Sequence, residues 1–148
     1  MKKISRLLMG VAAMTMLASC AKTITSAEAA KIIASWNYSQ AIGNYGKCVA
    51  NAKGSDGSSS SVTYDLTKTS EKAAILGEIT LVNTALTLLA TRENSLVTWK
   101  AKGNALQVEG TADDGSKFIY HTQEDGLPTY SKAISGETWS DVSYTWSK

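Results

Sequence analysis

Two cysteines and one histidine, Cys20, Cys48 and His121, are the side chains of this sequence with the widest chemistry. A thiolate can be alkylated, acylated or bound to a metal, and an imidazole can move protons near neutral pH. No nucleophile motif links the histidine to a serine or a cysteine. If Cys20 is used elsewhere, one histidine and one cysteine fall short of a usual zinc site. We therefore predict no enzyme activity, no metal site and no cofactor.

The residues before Cys20 have the order of a secretory signal. Three of residues 2–6 (KKISR) are basic, residues 7–17 (LLMGVAAMTML) are uncharged and mostly apolar, and residues 18–19 are small. A helix that spans a bilayer needs roughly 20 apolar residues, so the apolar run is too short to be one. The sequence predicts a signal peptide here. No later stretch is free enough of polar residues to predict a membrane span.

The segment Leu17-Ala18-Ser19-Cys20 resembles the bacterial lipobox. In that family the cysteine thiol receives a diacylglycerol through a thioether, and the signal is removed directly before it. Serine is small, as this position requires, although glycine or alanine is more usual before the cysteine. The resemblance implies a lipoprotein signal peptide at residues 1–19, lipidation of Cys20 and a polar tether over residues 20–25.

A lipid on Cys20 would make the membrane a partner of this protein. Each buried methylene contributes about 0.8 kcal/mol, and two or three acyl chains hold a protein firmly where one does not. Ala21 and Lys22 follow, so the aspartate that retains lipoproteins in the inner membrane is missing. In a bacterium with two membranes, the resemblance implies an anchor in the outer membrane, with the domain facing the periplasm or the surface.

The charges of the remaining chain are nearly balanced. Three of the 15 basic residues precede residue 20, which leaves 12 against 13 acidic residues. Interspersed charges of both signs do not make the basic footprint that nucleic acid requires, so no nucleic-acid partner is predicted. The length fits one domain, which we place at residues 26–148.

Two helices are predicted in this domain. The first runs from about Ser26 to Ile42, because Thr25 and Glu28 have the spacing of a capping box. The second covers residues 70–94, where apolar residues recur at helical steps. Leu81 and Leu88 lie off its main stripe, which indicates a helix covered on more than one side. Two strands joined near Asn83-Thr84 are the alternative.

Alternating apolar and polar residues predict the sheet. Before the long helix, residues 44–52 and 62–67 read as strands, and the serine-rich residues 53–61 between them read as a surface loop. After it, five runs separated by turn residues predict an antiparallel meander. These runs are residues 96–102, 105–111, 117–123, 129–135 and 138–147.

Aromatic residues of the meander are the candidate ligand contacts. On a concave sheet such rings can line an apolar cavity, although most of them would serve as core. Tyr130 with Ile134, and Phe118 with Tyr120, mark the face that we expect to be buried. The candidates are Trp99, Tyr120, Tyr130, Trp139 and Tyr144.

Two acidic pairs precede glycines at predicted hairpin tips. Asp113-Asp114 is followed by Gly115, and Glu124-Asp125 by Gly126. Such pairs could act in acid–base chemistry, and the second pair lies near His121. Acidic residue followed by glycine is also a common turn sequence, and we assign both pairs to turns.

The predicted fold class is α+β: an N-terminal helix, and a long second helix packed on a curved antiparallel sheet that ends in a five-stranded meander. This order loosely resembles the half-barrel lipoproteins that carry or sort lipids in bacterial envelopes. The resemblance implies a non-catalytic protein that binds an apolar or lipid-like ligand. A small lipocalin-like barrel is the alternative fold, and a structural or protein-interaction lipoprotein without a cavity is the alternative function.

Overall fold

The computed structural model describes residues 21–92 and 96–148, which form three α-helices and eight β-strands. The helices are α1 (Ser26–Ser35), α2 (Tyr38–Ala41) and α3 (Thr69–Ala90), and a 3₁₀ turn (Ile42–Asn44) follows α2. The strands are β1 (Lys22–Ile24), β2 (Lys47–Gly54), β3 (Ser59–Asp65), β4 (Val97–Lys102), β5 (Ala105–Thr111), β6 (Lys117–Thr122), β7 (Pro128–Ser135) and β8 (Thr138–Ser147).

The strands of the described chain form one antiparallel sheet in the order β1-β4-β5-β6-β7-β8-β2-β3. Strands β4 to β8 are the predicted meander, each paired with the next along the chain. The sheet is curved but open, because β1 and β3 lie at its two edges and do not pair with each other. The predicted α+β fold is confirmed, and the alternative of a closed barrel is wrong.

Helix α1 begins where the sequence predicts and ends earlier. Thr25 Oγ1 accepts a hydrogen bond from the Glu28 amide, and the Glu28 carboxylate accepts one from the Thr25 amide. The helix ends at Ser35, before the predicted Ile42, because Trp36 takes an extended conformation. The buried Trp36 indole donates to the Asn104 carbonyl at 2.9 Å. This contact with the turn between β4 and β5 turns the chain away from the helix axis.

Residues Thr69–Ala90 form one long helix, α3, so the alternative of two strands is wrong. It runs without a break through Gly77, and its buried stripe is Ile75, Ile79, Asn83, Leu86 and Ala90. Helix α3 packs on both the sheet and α1, but the expectation that Leu81 and Leu88 are covered is wrong. Leu81 is 73% exposed and Leu88 is 55% exposed, so the face of α3 that points away from the sheet is apolar and open to solvent.

Within the described residues, α3 is long and apolar enough to cross a bilayer by length and composition, with a mean hydropathy of 1.7 over 18 residues. The sequence-based exclusion of a later span is therefore wrong on composition. The threonines of α3 make the helix less polar than expected, because their hydroxyls donate hydrogen bonds to backbone carbonyls of the same helix. Three threonines of α3 do so, Thr80, Thr84 and Thr87, and the C-cap residue Thr91 donates to the Leu88 carbonyl. The buried stripe nevertheless packs on the sheet, as in a core helix.

The stretch predicted as a loop at residues 53–61 is mostly strand. Strands β2 and β3 continue to Gly54 and from Ser59, so that only residues 55–58 form the turn. Gly57 has φ +86°, a conformation that glycine adopts without strain. Backbone pairing accounts for the difference, because an edge strand can be held by its ladder while its serines stay in water.

Residues 22–24, which the sequence assigns to a polar tether, form the edge strand β1. Lys22 lies opposite Ala101 and Ile24 opposite Trp99. Ile24 also packs against the buried core beneath α1. The ordered sheet therefore begins two residues after Cys20, which itself lies outside the described residues, as does the predicted signal peptide.

The core between helices and sheet has two clusters. The larger is formed where α1 and the C-terminal half of α3 pack on β4 to β6, and Leu106 and Val108 are fully buried there. The smaller surrounds Ile75, Ile79 and Leu127 at the N-terminal half of α3. Cys48 is fully buried in this second cluster, and burial raises the pKa of its thiol to about 11. With Cys20 lipidated, Cys48 has no partner for an internal disulfide, and the sequence favours a small apolar core residue over a free thiol or an intermolecular link. The structure confirms the core position.

Candidate functional site

An apolar groove of about 510 Å³ lies between α3 and strands β6, β7 and β8. One wall is the C-terminal half of α3, and the floor is the face of the sheet that turns toward this helix. The volume falls within the range of about 300–1,000 Å³ that ligand pockets occupy. The lining residues are Val82, Ala85, Leu86, Leu88, Leu89, Arg92, Ala112, Phe118, Ile119, Tyr120, Ser131, Lys132, Ala133, Ser140 and Val142.

The groove exists because small side chains point toward α3 from β7. Ser131 lies opposite Tyr120 and Ala133 opposite Phe118, so these four residues share the face toward the helix. Side chains alternate along a strand, and the large Tyr130 and Ile134 therefore point to the other face. The expectation that Tyr130 and Ile134 face the core is wrong. The space that they would have filled is left to the groove.

Tyr120 lines both the groove and a smaller cavity of about 70 Å³ beneath the middle of α3. Its side chain is 6% exposed, and its hydroxyl has no hydrogen-bond partner among the described residues. Burial raises the pKa of this hydroxyl, with a further contribution from Tyr144, so it remains a donor at neutral pH. An unpaired buried hydroxyl is costly and rare. In the ligand-free protein this hydroxyl is therefore an unsatisfied donor, buried at a residue that lines both the groove and the smaller cavity.

Positive charge at the groove comes from Arg92 and Lys132, the two basic residues among those that line it. The Lys132 ammonium lies 4.7 Å from the centre of the Trp139 ring, on the opposite face of the sheet. Arg92 follows the C-terminus of α3, and its Nη1 lies 4.0 Å from the Asp113 Oδ2. No acidic side chain lines the groove in the described chain. Arg92 is thus the charge that a bound molecule would meet.

The structure separates the five candidate aromatic residues. Tyr120 lines the groove, and Tyr144 is half-buried on the same face and lines the smaller cavity. Trp99 is a core residue with 4% exposure. Tyr130 and Trp139 lie on the outer face, where Tyr130 donates to Asp141 at 3.0 Å. Of the five candidates, Tyr120 alone lines the groove in the described chain, and its contact with a ligand stays a prediction.

Most of the groove is made by residues that the sequence reading did not select as ligand contacts. They are Phe118, the aliphatic side chains of α3, and the small residues of β7 and β8. Phe118 was expected on the buried face, but a single phenylalanine does not reveal a cavity. The signal that could have found it is the pairing of Ser131 and Ala133 with two large aromatic residues across the strands. This signal requires the register, which a single sequence does not provide.

His121 lies on the outer face of the sheet, half-buried beside the Tyr130 ring at 5.8 Å. Burial lowers its pKa, and the nearby Glu109 opposes that shift. The carboxylates near it serve the turn: Asp125 accepts hydrogen bonds from the Leu127 amide and the Gln123 side chain. Asp114 does the same for Ser116, which lowers the Asp114 pKa. One aspartate of each acidic pair therefore accepts hydrogen bonds that hold its turn.

Residues that could hold a metal do not come together in the described chain: no three histidine, cysteine or acidic side chains form a cluster there. A second depression, of about 690 Å³, lies on the outer face between β3, β2 and β8. Its walls are four serines with Asn51, Ala52, Lys53 and Asp141, most of them groups that water already solvates. It offers a ligand less apolar surface than the groove, which remains the better candidate.

The comparisons with known proteins leave the site to be interpreted from its own geometry. No protein-family model, no curated protein and no solved structure matches this chain.

Proposed function

We propose that this protein is a lipid-anchored envelope protein that holds an apolar, lipid-like molecule in the groove beside α3, without catalysing a reaction. The observation that carries the proposal is the groove itself: about 510 Å³ of space walled by aliphatic and aromatic side chains. Each methylene that a ligand buries there contributes about 0.8 kcal/mol. An acyl chain is the common cellular molecule that gains most from such a surface.

Two features of the wall support a ligand over a chance gap in packing. Small residues on β7 leave the space open while larger ones on the same strand point away. The Tyr120 hydroxyl is buried beside it without a partner in the described chain. A ligand that enters deeply enough to accept a hydrogen bond from this hydroxyl would remove the cost of leaving it unpaired.

The location follows from the lipobox resemblance at Cys20. We place the anchor in the outer membrane, with the domain facing the periplasm or the surface. Strand β1 starts at Lys22, two residues after Cys20, so a link of this length can span at most about 7 Å. Such a short link would hold the domain close to the bilayer, where lipid-like ligands are found. Incorporation of labelled palmitate that is lost in Cys20→Ser tests the anchor.

Binding is tested by filling the groove. Ala133→Trp places an indole in the space between β7 and α3, at a position that is exposed in the structure. Thr145→Trp is the matched control, because Thr145 is exposed on the outer face of β8. The full-length proteins are purified from the same bacterial host, and lipid that is bound without a covalent bond is extracted and measured by mass spectrometry. We expect lipid in the wild type and the control, and at least a threefold loss in Ala133→Trp. Equal amounts in all three proteins would contradict the proposal.

A second candidate function, interaction with another envelope protein, is favoured by the outer face of α3. Leu81 is 73% exposed there and does not line the groove, whereas Leu88, 55% exposed, lies at the groove; exposed apolar surface often marks an interface. Under this function Leu81→Asp would release a partner from the solubilised membrane complex while leaving the bound lipid unchanged. Ala133→Trp would have the opposite pattern under the ligand function, so the two variants separate the candidates.

A further inference from the structure

We propose that the molecule in the groove is a single-chain amphiphile with an anionic head, and that Arg92 binds this head while the chain lies along α3. This inference rests on the proposed function and names its ligand class. The shared chemistry is an oxyanion, carboxylate or phosphate, joined to one acyl chain. A guanidinium presents paired donors that match either group.

The charged side chains that line the groove favour a ligand with an anionic head. Arg92 and Lys132 are the basic residues that line the groove, and the Lys132 ammonium is held over Trp139 on the other face. The rest of the lining is apolar apart from Ser131, Ser140 and the hydroxyl of Tyr120. A neutral chain would gain nothing from the guanidinium, whereas an anion placed there would gain an ion pair beside a surface of low polarity.

The partner that now faces Arg92 is weakly held. Asp113 Oδ2 lies 4.0 Å from the guanidinium, and the two side chains are 63% and 94% exposed. An ion pair so open to water contributes little. The head of a ligand can therefore replace the Asp113 carboxylate at small cost, and Asp113 acts as a competitor for the site.

The shape of the groove selects a single chain. The wall of α3 from Val82 to Leu89 covers seven helical steps, or about 10 Å at 1.5 Å per residue, and Arg92 follows just beyond the end of the helix. Arg92 lies at the C-terminal end of this wall, so a chain that starts at its guanidinium runs back along Leu89 and Leu86. The volume of about 510 Å³ lies in the lower half of the range for ligand pockets. One chain fills such a space, whereas a lipid with several chains would leave part of its apolar surface in water.

The test uses three photoreactive probes of equal chain length, each with a diazirine on the chain: a fatty acid, a lysophosphatidic acid and a neutral monoacylglycerol. The full-length protein is labelled with each one, and the labelled peptides from α3 and β6 to β8 are quantified. The variants are Arg92→Gln, Asp113→Asn and the control Lys68→Gln. Lys68 is an exposed cation at the other end of α3, paired with Glu71 at 3.6 Å.

We expect at least one anionic probe to label the groove more strongly than the neutral probe. Arg92→Gln should lower that labelling about 1.5-fold to fivefold, the range for an ion pair at an exposed rim, and Asp113→Asn should raise it. Lys68→Gln should leave it unchanged. The relative yields of the fatty acid and the lysophosphatidic acid identify the source of the head.

Two results would overturn the inference in distinguishable ways. If all three probes label the groove equally and Arg92→Gln has no effect, the anionic head is wrong and the apolar ligand stands. If none of the probes labels the groove, while each labels the surrounding membrane, both the inference and the proposed function fail.

Discussion

Replacing Tyr120 with phenylalanine should stabilise the ligand-free protein. The Tyr120 side chain is 6% exposed and its hydroxyl has no hydrogen-bond partner in the described chain. A hydroxyl buried in this way costs about 1–3 kcal/mol. Tyr120→Phe removes that cost and leaves the ring in place. Allowing for the small void left by the oxygen, we expect the free energy of unfolding to rise by about 1 kcal/mol.

The assay is urea unfolding of delipidated protein, followed by tryptophan fluorescence, with the slope against urea checked for equality between variants. Tyr130→Phe is the matched control, because its hydroxyl donates to Asp141 at 3.0 Å. That variant should lose about 0.5–1.5 kcal/mol, the usual net contribution of a hydrogen bond. A loss of similar size in Tyr120→Phe would refute the reasoning, since it would show that the Tyr120 hydroxyl is paired in the ligand-free protein.

Two further predictions concern the core and a turn. Burial raises the Cys48 pKa from 9.0 to about 11. The unfolded chain therefore releases this proton at a lower pH than the folded protein does. The free energy of unfolding should fall as the pH rises from 9 to 11, by about 3 kcal/mol at most. Cys48→Ala should flatten this part of the profile of unfolding free energy against pH, and an unchanged profile would contradict the burial. Gly126 has φ +89°, and an added Cβ would lie 2.6 Å from the Trp36 ring, so Gly126→Ala should cost about 2 kcal/mol or more in thermal unfolding. Gly115→Ala has a similar φ but no neighbour within 4 Å, and it should cost less; equal losses would argue against the Trp36 contact.

Local patterns in the sequence predict most of this fold. The capping box at Thr25 and Glu28 places the start of α1 correctly, and the helical spacing from Ile75 to Leu89 identifies α3. The five meander strands match their predicted ranges to within one residue at each end. These features depend on neighbours in sequence, so one sequence is enough to read them.

The features that were missed depend on partners distant in sequence. Trp36 ends α1 because its indole reaches the Asn104 carbonyl, which no local pattern encodes. Strand β7 has small side chains on one face and larger ones on the other, and only its pairing with β6 shows that the small face, with Ser131, points toward α3 and that Tyr130 points away from it. The groove depends on that choice. The sequence could therefore suggest a cavity beside the meander but not its walls.

The central claim, that an apolar chain binds between α3 and the sheet, is tested most directly by NMR of alanine methyl groups during titration with dodecanoate. Ala85, Ala112 and Ala133 line the groove, Ala34 is exposed on α1, and Ala52 lines the polar depression. Saturable shifts at the three groove methyls, with contacts from the methylene protons of the ligand and little change at Ala34 and Ala52, are the predicted result. Shifts spread over all five methyls, or no saturable shift at the groove, would contradict the account.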